Sequence, residues 1–429
     1  MLKAPAKQRN WLLDLLRIPA AFCIAINHFM QRWNVSLGSA YDSGPSYFTQ
    51  TYIWEDGWTA GGYYCLGFFT FISGYFLIDW FKKQQKANLI GRGKDTLLLW
   101  RYWGKTYSSY IPYVLTSTVP CLLGTLIMYR VPLKDWFFHF ANMLPEILGF
   151  GEFGLTVPQE WKTVVKLLFV DPAWEPSITQ PWMLASQVWY LSTLICYAAT
   201  LMLAFVISEK FALFAVGPYF LMMFFKTNWD LSPMSDVVSW NINRMFGPMF
   251  IGIYAWYLID YLRHHEISKG AQRAINIGAV LSFAGYIYWR TMWVTATFIE
   301  ADTMWCLVCF FTLLNKDFFT VGVNKLLGKI PFIAKHFSSV SMGVFSFHYL
   351  IMNTLRYLEV KEMIPWFTNA YGGVKFTIYV SILLLLGILF VPVDIYLVRP
   401  FGKWVAKVLG ANKPVVIEDD VPVKAGINL

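Results

Sequence analysis

The feature that most constrains this chain is a series of apolar stretches with the length of membrane-spanning segments. A transmembrane helix needs about 20 mostly apolar residues to cross the hydrocarbon core. Such stretches occur near residues 11–30, 58–80, 106–129, 187–207, 211–226, 240–259, 274–290, 296–314, 339–357 and 374–398. They predict an all-α, polytopic membrane protein with about ten transmembrane helices.

Composition favours the same class. Charged residues make up 14% of the 429 residues, against about 25% in soluble domains. The net charge of +9 would suit a nucleic-acid partner, but the cations lie in short segments between apolar stretches. That pattern is typical of loops beside the inner leaflet, so a lipid bilayer is expected as partner and nucleic acid is not. The six cysteines fall almost wholly in apolar stretches and predict neither a disulfide framework nor a metal site.

The distribution of positive charge predicts the orientation. With the N-terminus inside, the 35 lysines and arginines divide into 23 in inner segments, ten in outer segments or outer ends, and two within spans. Cytoplasmic loops carry the excess of Lys and Arg. Because the number of spans is even, both termini are expected in the cytoplasm, in a multi-pass protein of the cell membrane.

One outer segment is long. Residues 130–186 contain several tryptophans and prolines, and this composition favours an ordered cap over the outer mouth rather than a disordered linker. We therefore expect one transmembrane domain over residues 1–410, including this cap, followed by a flexible cytoplasmic tail over 411–429. No internal repeat of fixed period is evident, which argues against a transporter built from duplicated halves.

The first apolar span carries Asp14, Arg17 and His28. An ionisable residue in a span costs about 2.5–3.5 kcal/mol and usually faces the bundle interior. Arg17 and His28 are eleven residues apart, about 1100° around a helix, so they share one face about 16 Å apart along its axis. Asp14 lies one turn earlier and can pair with Arg17. The alternative is an arginine that reaches the inner headgroups and a histidine that is satisfied within the bundle; the spacing alone does not decide.

The residues resemble acyltransferase family 3, the membrane acyltransferases that modify cell-surface polysaccharides. Arg17, ten residues and His28 are similar to that family's first-helix signature, and Asp14 stands in its lead-in. Residues 66–78 (LGFFTFISGYFLI) resemble its second-helix block. Further similar blocks are 100–107 (WRYWGKTY), 187–197 (QVWYLSTLICY), 244–252 (RMFGPMFIG) and 341–351 (SMGVFSFHYLI).

Some positions depart from the family pattern. Lys105 stands near the place of the family's second arginine, and lysine lacks the guanidinium fork that binds phosphate in a bidentate way. His348 and Met352 stand where tyrosine and histidine are usual, so no role can be carried over to His348. The 130–186 cap is specific to this chain, so the resemblance does not imply which acceptor is used.

The resemblance implies transfer of an acyl group, by default acetyl, from cytoplasmic acyl-CoA to a hydroxyl of a surface or lipid-linked glycan, in a bacterial membrane. No permanently bound cofactor is expected, and acyl-CoA is a substrate. Arg17, Arg101 and Lys105 are the expected cations for the CoA head, with Ser73 beside them. His28 is the expected general base, since imidazole suits proton transfer near neutral pH, and Arg17 is placed with it as catalytic. Transient acylation of His28 or of Ser73 stays open.

Some residues are weaker site candidates, and other functional classes stay open. Glu300, Asp302 and Trp182 are candidate acceptor-binding residues, although each also suits a membrane interface. Ser73 and Gly74 favour close helix packing over a nucleophilic role, and Cys306 and Cys309 are interpreted as packing residues. A transporter or flippase of a small polar or glycan-related substrate, or a structural or sensory membrane protein, remains as an alternative. Consumption of acyl-CoA distinguishes the acyltransferase from both.

Overall fold

The fold comes from a computed structural model that describes part of the chain. The described residues are 10–36, 65–87, 89–90, 95–128, 133, 136, 189–226, 240–265, 268–292, 298–314, 325–370 and 372–411. Within these ranges the chain is predominantly helical and contains no strand. The all-α class is therefore confirmed.

The helices are numbered in chain order. The first seven are α1 (Trp11–Ser36), α2 (Leu66–Lys86), α3 (Asp95–Met128), α4 (Trp189–Ile207), α5 (Glu209–Phe211), α6 (Gly217–Lys226) and α7 (Trp240–His264). They are followed by α8 (Lys269–Met292), α9 (Phe298–Leu314), α10 (Pro331–Ala334), α11 (Phe337–Val360), α12 (Pro365–Thr368), α13 (Gly372–Val393) and α14 (Arg399–Val408). The π-helical segments Ala212–Val216 and Asp394–Val398 join α5 to α6 and α13 to α14.

Local sequence explains where several helices begin. Asn10 precedes α1, and its side chain accepts a hydrogen bond from the Leu13 amide at 3.1 Å. Ser208 accepts one from the Phe211 amide at 3.2 Å at the start of α5. Both are standard N-cap contacts that satisfy a helix-end donor. The short helices α10 and α12 begin at Pro331 and Pro365, because proline fits the first helical position.

Each predicted apolar span overlaps a described helix, with shifts at the ends. The largest shift is in α3, which begins at Asp95 and not near 106, so Arg101 and Lys105 lie in its first turns and not in a loop. By length and composition, three helical stretches of the described chain could cross a bilayer, Asp95–Met128, Met245–His264 and Val374–Val408. Shorter apolar helices cover Ala198–Ile207 and Ala301–Leu314. The number of ten crossings and the side of the termini stay predictions.

The closest helix contacts surround α2, which packs on α7 and α9. A Cβ at Gly74 would lie 2.0 Å from the Met249 carbonyl oxygen, and one at Gly67 would lie 2.2 Å from the carbonyl oxygen of Asp302. Only glycine permits these approaches, as at many helix interfaces in membranes. Cys306 and Cys309 are buried in the same region, which agrees with their interpretation as packing residues.

Helix α11 is the element that organises the site, because it packs on α1, α3 and α13. Hydrogen bonds join Arg17 of α1 to Ser338 and His28 to Tyr349. From the first contact to the second the residue numbers increase on both helices, so α1 and α11 run in the same direction. Helix α13 runs the opposite way, since Tyr379 reaches His348 whereas Gly387, further along α13, packs against the earlier Val340. These directions are the ones that alternating crossings of the first, ninth and tenth predicted spans require.

A polar network surrounds the buried Asp394 carboxylate where α3, α11 and the second π-helical segment meet. The Asp394 carboxylate accepts hydrogen bonds from the Tyr113 hydroxyl at 2.8 Å, the Ser339 hydroxyl at 2.5 Å and Arg399 Nε at 2.9 Å. Arg399 also donates to the Ser339 oxygen at 2.7 Å. We call these four residues the Asp394 network.

Candidate active site

The site is built on the face of α1 that the sequence predicted. Arg17 donates a hydrogen bond to the Ser338 hydroxyl at 3.0 Å and lies 3.6 Å from the Asp14 carboxylate. The Ser341 hydroxyl donates to the Arg17 carbonyl at 2.9 Å. Arg17 is therefore held by its own helix and by the first turns of α11, and the predicted pairing with Asp14 is present.

The two contacts between α1 and α11 share one register. Both Arg17–Ser338 and His28–Tyr349 join residues that are 321 positions apart in the chain. Two parallel helices with the same rise per residue keep such a constant offset over three turns. The cation and the imidazole are thereby fixed relative to each other by a single helix pair, about 16 Å apart along the axis.

A cavity of about 220 Å³ opens beside Arg17. Arg17, Ser73 and Lys105 all line it, so three of the predicted donor-binding residues lie together. Arg101 lies one helical turn before Lys105 and is not among the lining residues. The wall between the cations is partly aromatic and includes Tyr110. The arrangement offers fixed positive charge beside a surface on which an apolar arm can lie.

A second, smaller cavity of about 90 Å³ continues from the first. It shares Arg17, Ser73 and Tyr110 with the larger cavity and extends to Ser341 and Phe345 on α11. Phe345 lies next to the histidines in space, because its ring centroid is 5.8 Å from that of His348. The second cavity thus extends from Arg17 to the turn of α11 that precedes His348.

The hydroxyl of Ser73 is occupied within its own helix. It donates to the Phe69 carbonyl at 2.8 Å, four residues earlier, and it is also hydrogen-bonded to Tyr110. Since the serine proton goes to the carbonyl, the tyrosine is the donor in the second bond. This back-bonding is common for serine in helices. Together with the tight fit of Gly74, it supports a packing and positioning role rather than a nucleophilic one.

His28 lies in a cluster of aromatic rings at the other end of the stripe. Its Nδ1 is 3.2 Å from the Tyr349 hydroxyl, and its ring is stacked on that of His348 with centroids 5.3 Å apart and an interplanar angle of 21°. The Tyr379 hydroxyl lies 3.2 Å from the backbone carbonyl oxygens of both Ala25 and His348. Tyr379 therefore holds the backbones of α1 and α11 together beside the two histidines.

Sequence reasoning missed Tyr110, Tyr349 and Tyr379, which all contact predicted site residues. One signal was available: Ser338 and Tyr349 are eleven residues apart on α11, the same interval as Arg17 and His28 on α1. Tyr110 and Tyr379 have no comparable pattern, because each is brought to the site by packing between distant helices.

Of the predicted acceptor-binding residues, only Asp302 has a side chain within the described part of the chain. The Asp302 side chain is fully buried, and its carboxylate accepts a hydrogen bond from the Gly67 amide at 2.7 Å. It thus caps the N-terminus of α2 from the neighbouring helix, which is a structural role, and acceptor binding by Asp302 stays a prediction. Glu300 lies in the first turn of α9, with its side chain outside the described part. Trp182 and nearly all of the predicted 130–186 cap also lie outside the described residues.

Comparison with known proteins identifies the family. A family profile described as an acyltransferase domain matches residues 10–397. That range covers α1 to α13 and includes Arg17, Ser73, Lys105 and both histidines. No curated protein and no solved structure gives a match. The chain belongs to acyltransferase family 3 and is a membrane acyltransferase.

Proposed function

We propose that this protein is an O-acyltransferase that takes an acyl group, by default acetyl, from cytoplasmic acyl-CoA and delivers it to a hydroxyl of a cell-surface or lipid-linked glycan. The observation that carries the proposal is the shared cavity of Arg17 and Lys105, fixed by α11 at a defined distance from His28. A site for a donor with an anionic head and an extended arm needs positive charge where the head binds and a proton acceptor where the reacting end of the arm lies.

The donor binds with its phosphates at the cationic end. Arg17 binds a phosphate through its guanidinium fork, and Lys105 acts as a point charge. Arg101 lies one turn outward and contributes at longer range. The apolar and aromatic wall of the cavity supports the pantetheine arm, which extends along the Arg17–His28 stripe and brings the thioester to the imidazole.

The transfer step needs one proton acceptor. His28 takes the proton of the acceptor hydroxyl while the hydroxyl oxygen attacks the thioester carbonyl. The new C–O bond forms, the C–S bond breaks, and the CoA thiolate takes the proton from the histidine. For His28 to accept at Nε2, its Nδ1 carries the other proton and donates to the Tyr349 oxygen, a geometry that orients the ring. A transient acyl-histidine remains a second route, whereas the occupied hydroxyl of Ser73 argues against acyl-serine.

The decisive experiment measures transfer directly. Purified protein in lipid nanodiscs is supplied with radiolabelled acetyl-CoA, and label is followed in free acetate, in protein and in a membrane glycan extract. Mass analysis of surface glycans from cells with and without the gene identifies the acyl group and the sugar. We expect wild-type protein to consume acetyl-CoA and to add acetyl to glycan. Transport of a solute without consumption of acyl-CoA would instead indicate the transporter alternative.

The cross-membrane route is tested by topology. Single cysteines at Lys94 and Lys162, both outside the described residues, are introduced in a background without native cysteines. A membrane-impermeant thiol reagent applied to intact cells is expected to label position 162 and not position 94. The reverse pattern would place the cation cluster in a compartment without acyl-CoA and would contradict the proposed route.

A further inference from the structure

The second histidine of the site, His348, has a fixed protonation pattern. Its Nδ1 is 2.6 Å from the Phe345 carbonyl oxygen. A carbonyl oxygen only accepts hydrogen bonds, so Nδ1 must carry a proton. In the neutral ring Nε2 then has a free lone pair and can only accept. The backbone of α11 has therefore selected the tautomer that presents an acceptor.

This acceptor is buried and has no hydrogen-bond partner in the described part of the chain. His348 is fully buried, and among the residues that the structure describes, its Nε2 makes no hydrogen bond. A buried polar atom without a partner is costly, so native structures rarely keep one without a reason. The atom belongs to a ring stacked on His28, at the end of the stripe where transfer takes place. The missing partner is therefore expected from a substrate.

We propose that Nε2 of His348 is a substrate-binding acceptor, which receives a hydrogen bond from an O–H or N–H group of a substrate bound beside His28. Two sources have this chemistry, a hydroxyl of the glycan acceptor and an amide N–H of the pantetheine arm. His348 thus binds the substrate next to the reacting atoms, while His28 carries the proton in the transfer. This inference rests on the proposed function for the identity of the substrates, and on the geometry of His348 for the interaction.

Two substitutions separate this role from a structural one. His348→Asn places an amide nitrogen near the position of Nδ1, so it can keep the bond to Phe345 but lacks an atom at the position of Nε2. His348→Gln places an amide oxygen near Nε2 and loses the Phe345 bond. Thr354→Val is the matched control, because the Thr354 hydroxyl lies on the same helix and donates to the Leu350 carbonyl at 2.7 Å.

The experiment uses full-length protein in nanodiscs with acetyl-CoA as the donor probe, and glycan acetylation in complemented cells as the acceptor readout. We expect His348→Asn to lower glycan acetylation at least tenfold, and His348→Gln to stay within about threefold of wild type. If the hydrogen bond comes from the donor, the Kd for acetyl-CoA rises about tenfold in His348→Asn. If it comes from the acceptor, that Kd is unchanged and only transfer falls.

The opposite ranking overturns the inference. Near wild-type transfer in His348→Asn together with a loss in His348→Gln means that the Phe345 bond matters and Nε2 does not. Equal effects of His348→Asn and of the Thr354→Val control also overturn it. Failure of the proposed function looks different, because wild-type protein itself would then neither bind nor consume acetyl-CoA. Every variant must give a monodisperse size-exclusion profile. If His348→Asn folds poorly, the test rests on His348→Gln, whose transfer must then stay within about threefold of wild type.

Discussion

Two polar clusters on α11 lie nine residues apart and are built on opposite principles. In the Asp394 network a fully buried carboxylate receives donors from a tyrosine, a serine and an arginine. In the histidine pair, His28 and His348 stack on each other, and Nε2 of His348 has no hydrogen-bond partner among the residues that the structure describes. A satisfied cluster fixes the position of the helix, whereas an incompletely satisfied one keeps an atom ready for a ligand.

The comparison predicts its largest effect at His28. His28→Ala should lower acyl transfer by about 10²–10⁴-fold, which is the usual contribution of a general base, and should leave folding nearly unchanged. Transfer is measured with radiolabelled acetyl-CoA on nanodisc-embedded protein of verified size. Transfer within threefold of wild type, in folded protein, would falsify the assignment of His28.

Substitution in the Asp394 network should lower stability and leave acyl transfer nearly unchanged, the opposite of the effect expected at His28. Asp394→Ala leaves the Tyr113 and Ser339 hydroxyls and the exposed guanidinium of Arg399 without their shared acceptor, and loss of these hydrogen bonds costs about 1–3 kcal/mol. We expect a lower midpoint in denaturant-induced unfolding, while transfer per folded molecule stays within about threefold. Loss of transfer without loss of stability would mean that the network belongs to the active site.

Lys105 differs from the Asp394 network because its proposed partner is the donor substrate and not another side chain. It is an exposed cation on the cavity wall. Lys105→Ala should raise the Kd for acetyl-CoA about tenfold, the loss of about 1.4 kcal/mol that one charge-assisted contact provides. Arg101→Ala is the matched control, since Arg101 lies one turn away and does not line the cavity, and its effect should be smaller. Lys105→Arg is expected to keep or improve donor affinity. Equal effects of the two alanine substitutions would move the phosphate site away from the cavity.

A third polar cluster, at the partly exposed end of α2, should give the smallest effect. Burial raises the pKa of the Glu209 carboxyl, but hydrogen bonds from Lys82 and Tyr257 outweigh it and leave the pKa below its ordinary value of 4.5. A carboxyl group whose pKa is lower in the folded than in the unfolded protein stabilises the fold at pH values above its unfolded-state pKa. This stabilisation is lost as the pH falls through the folded-state pKa. Glu209→Gln should therefore cost less than about 1 kcal/mol near pH 7, and this difference should disappear below pH 4.5. A pH-independent difference would contradict the ionic origin.

The part of this molecule that sequence could predict is the part that helical periodicity determines. The shared face of Arg17 and His28 follows from their spacing alone, and the convergence of Arg17 with Lys105 follows from the family blocks. The stacking of His348 on His28 could not be predicted, because it depends on the register between two helices more than 300 residues apart. The contact of Asp302 with the Gly67 amide could not be predicted either, since an acidic residue at the start of an apolar helix gives no sign that a neighbouring helix needs its cap.

The common offset of 321 positions between α1 and α11 has a consequence for sequence change in this protein. One residue inserted between Arg17 and His28 would turn the imidazole by about 100° around α1 while leaving the arginine in place. A second insertion between Ser338 and Tyr349 would restore the match. The lengths of two segments at opposite ends of the chain are therefore coupled, and insertions or deletions in them are tolerated only as compensating pairs.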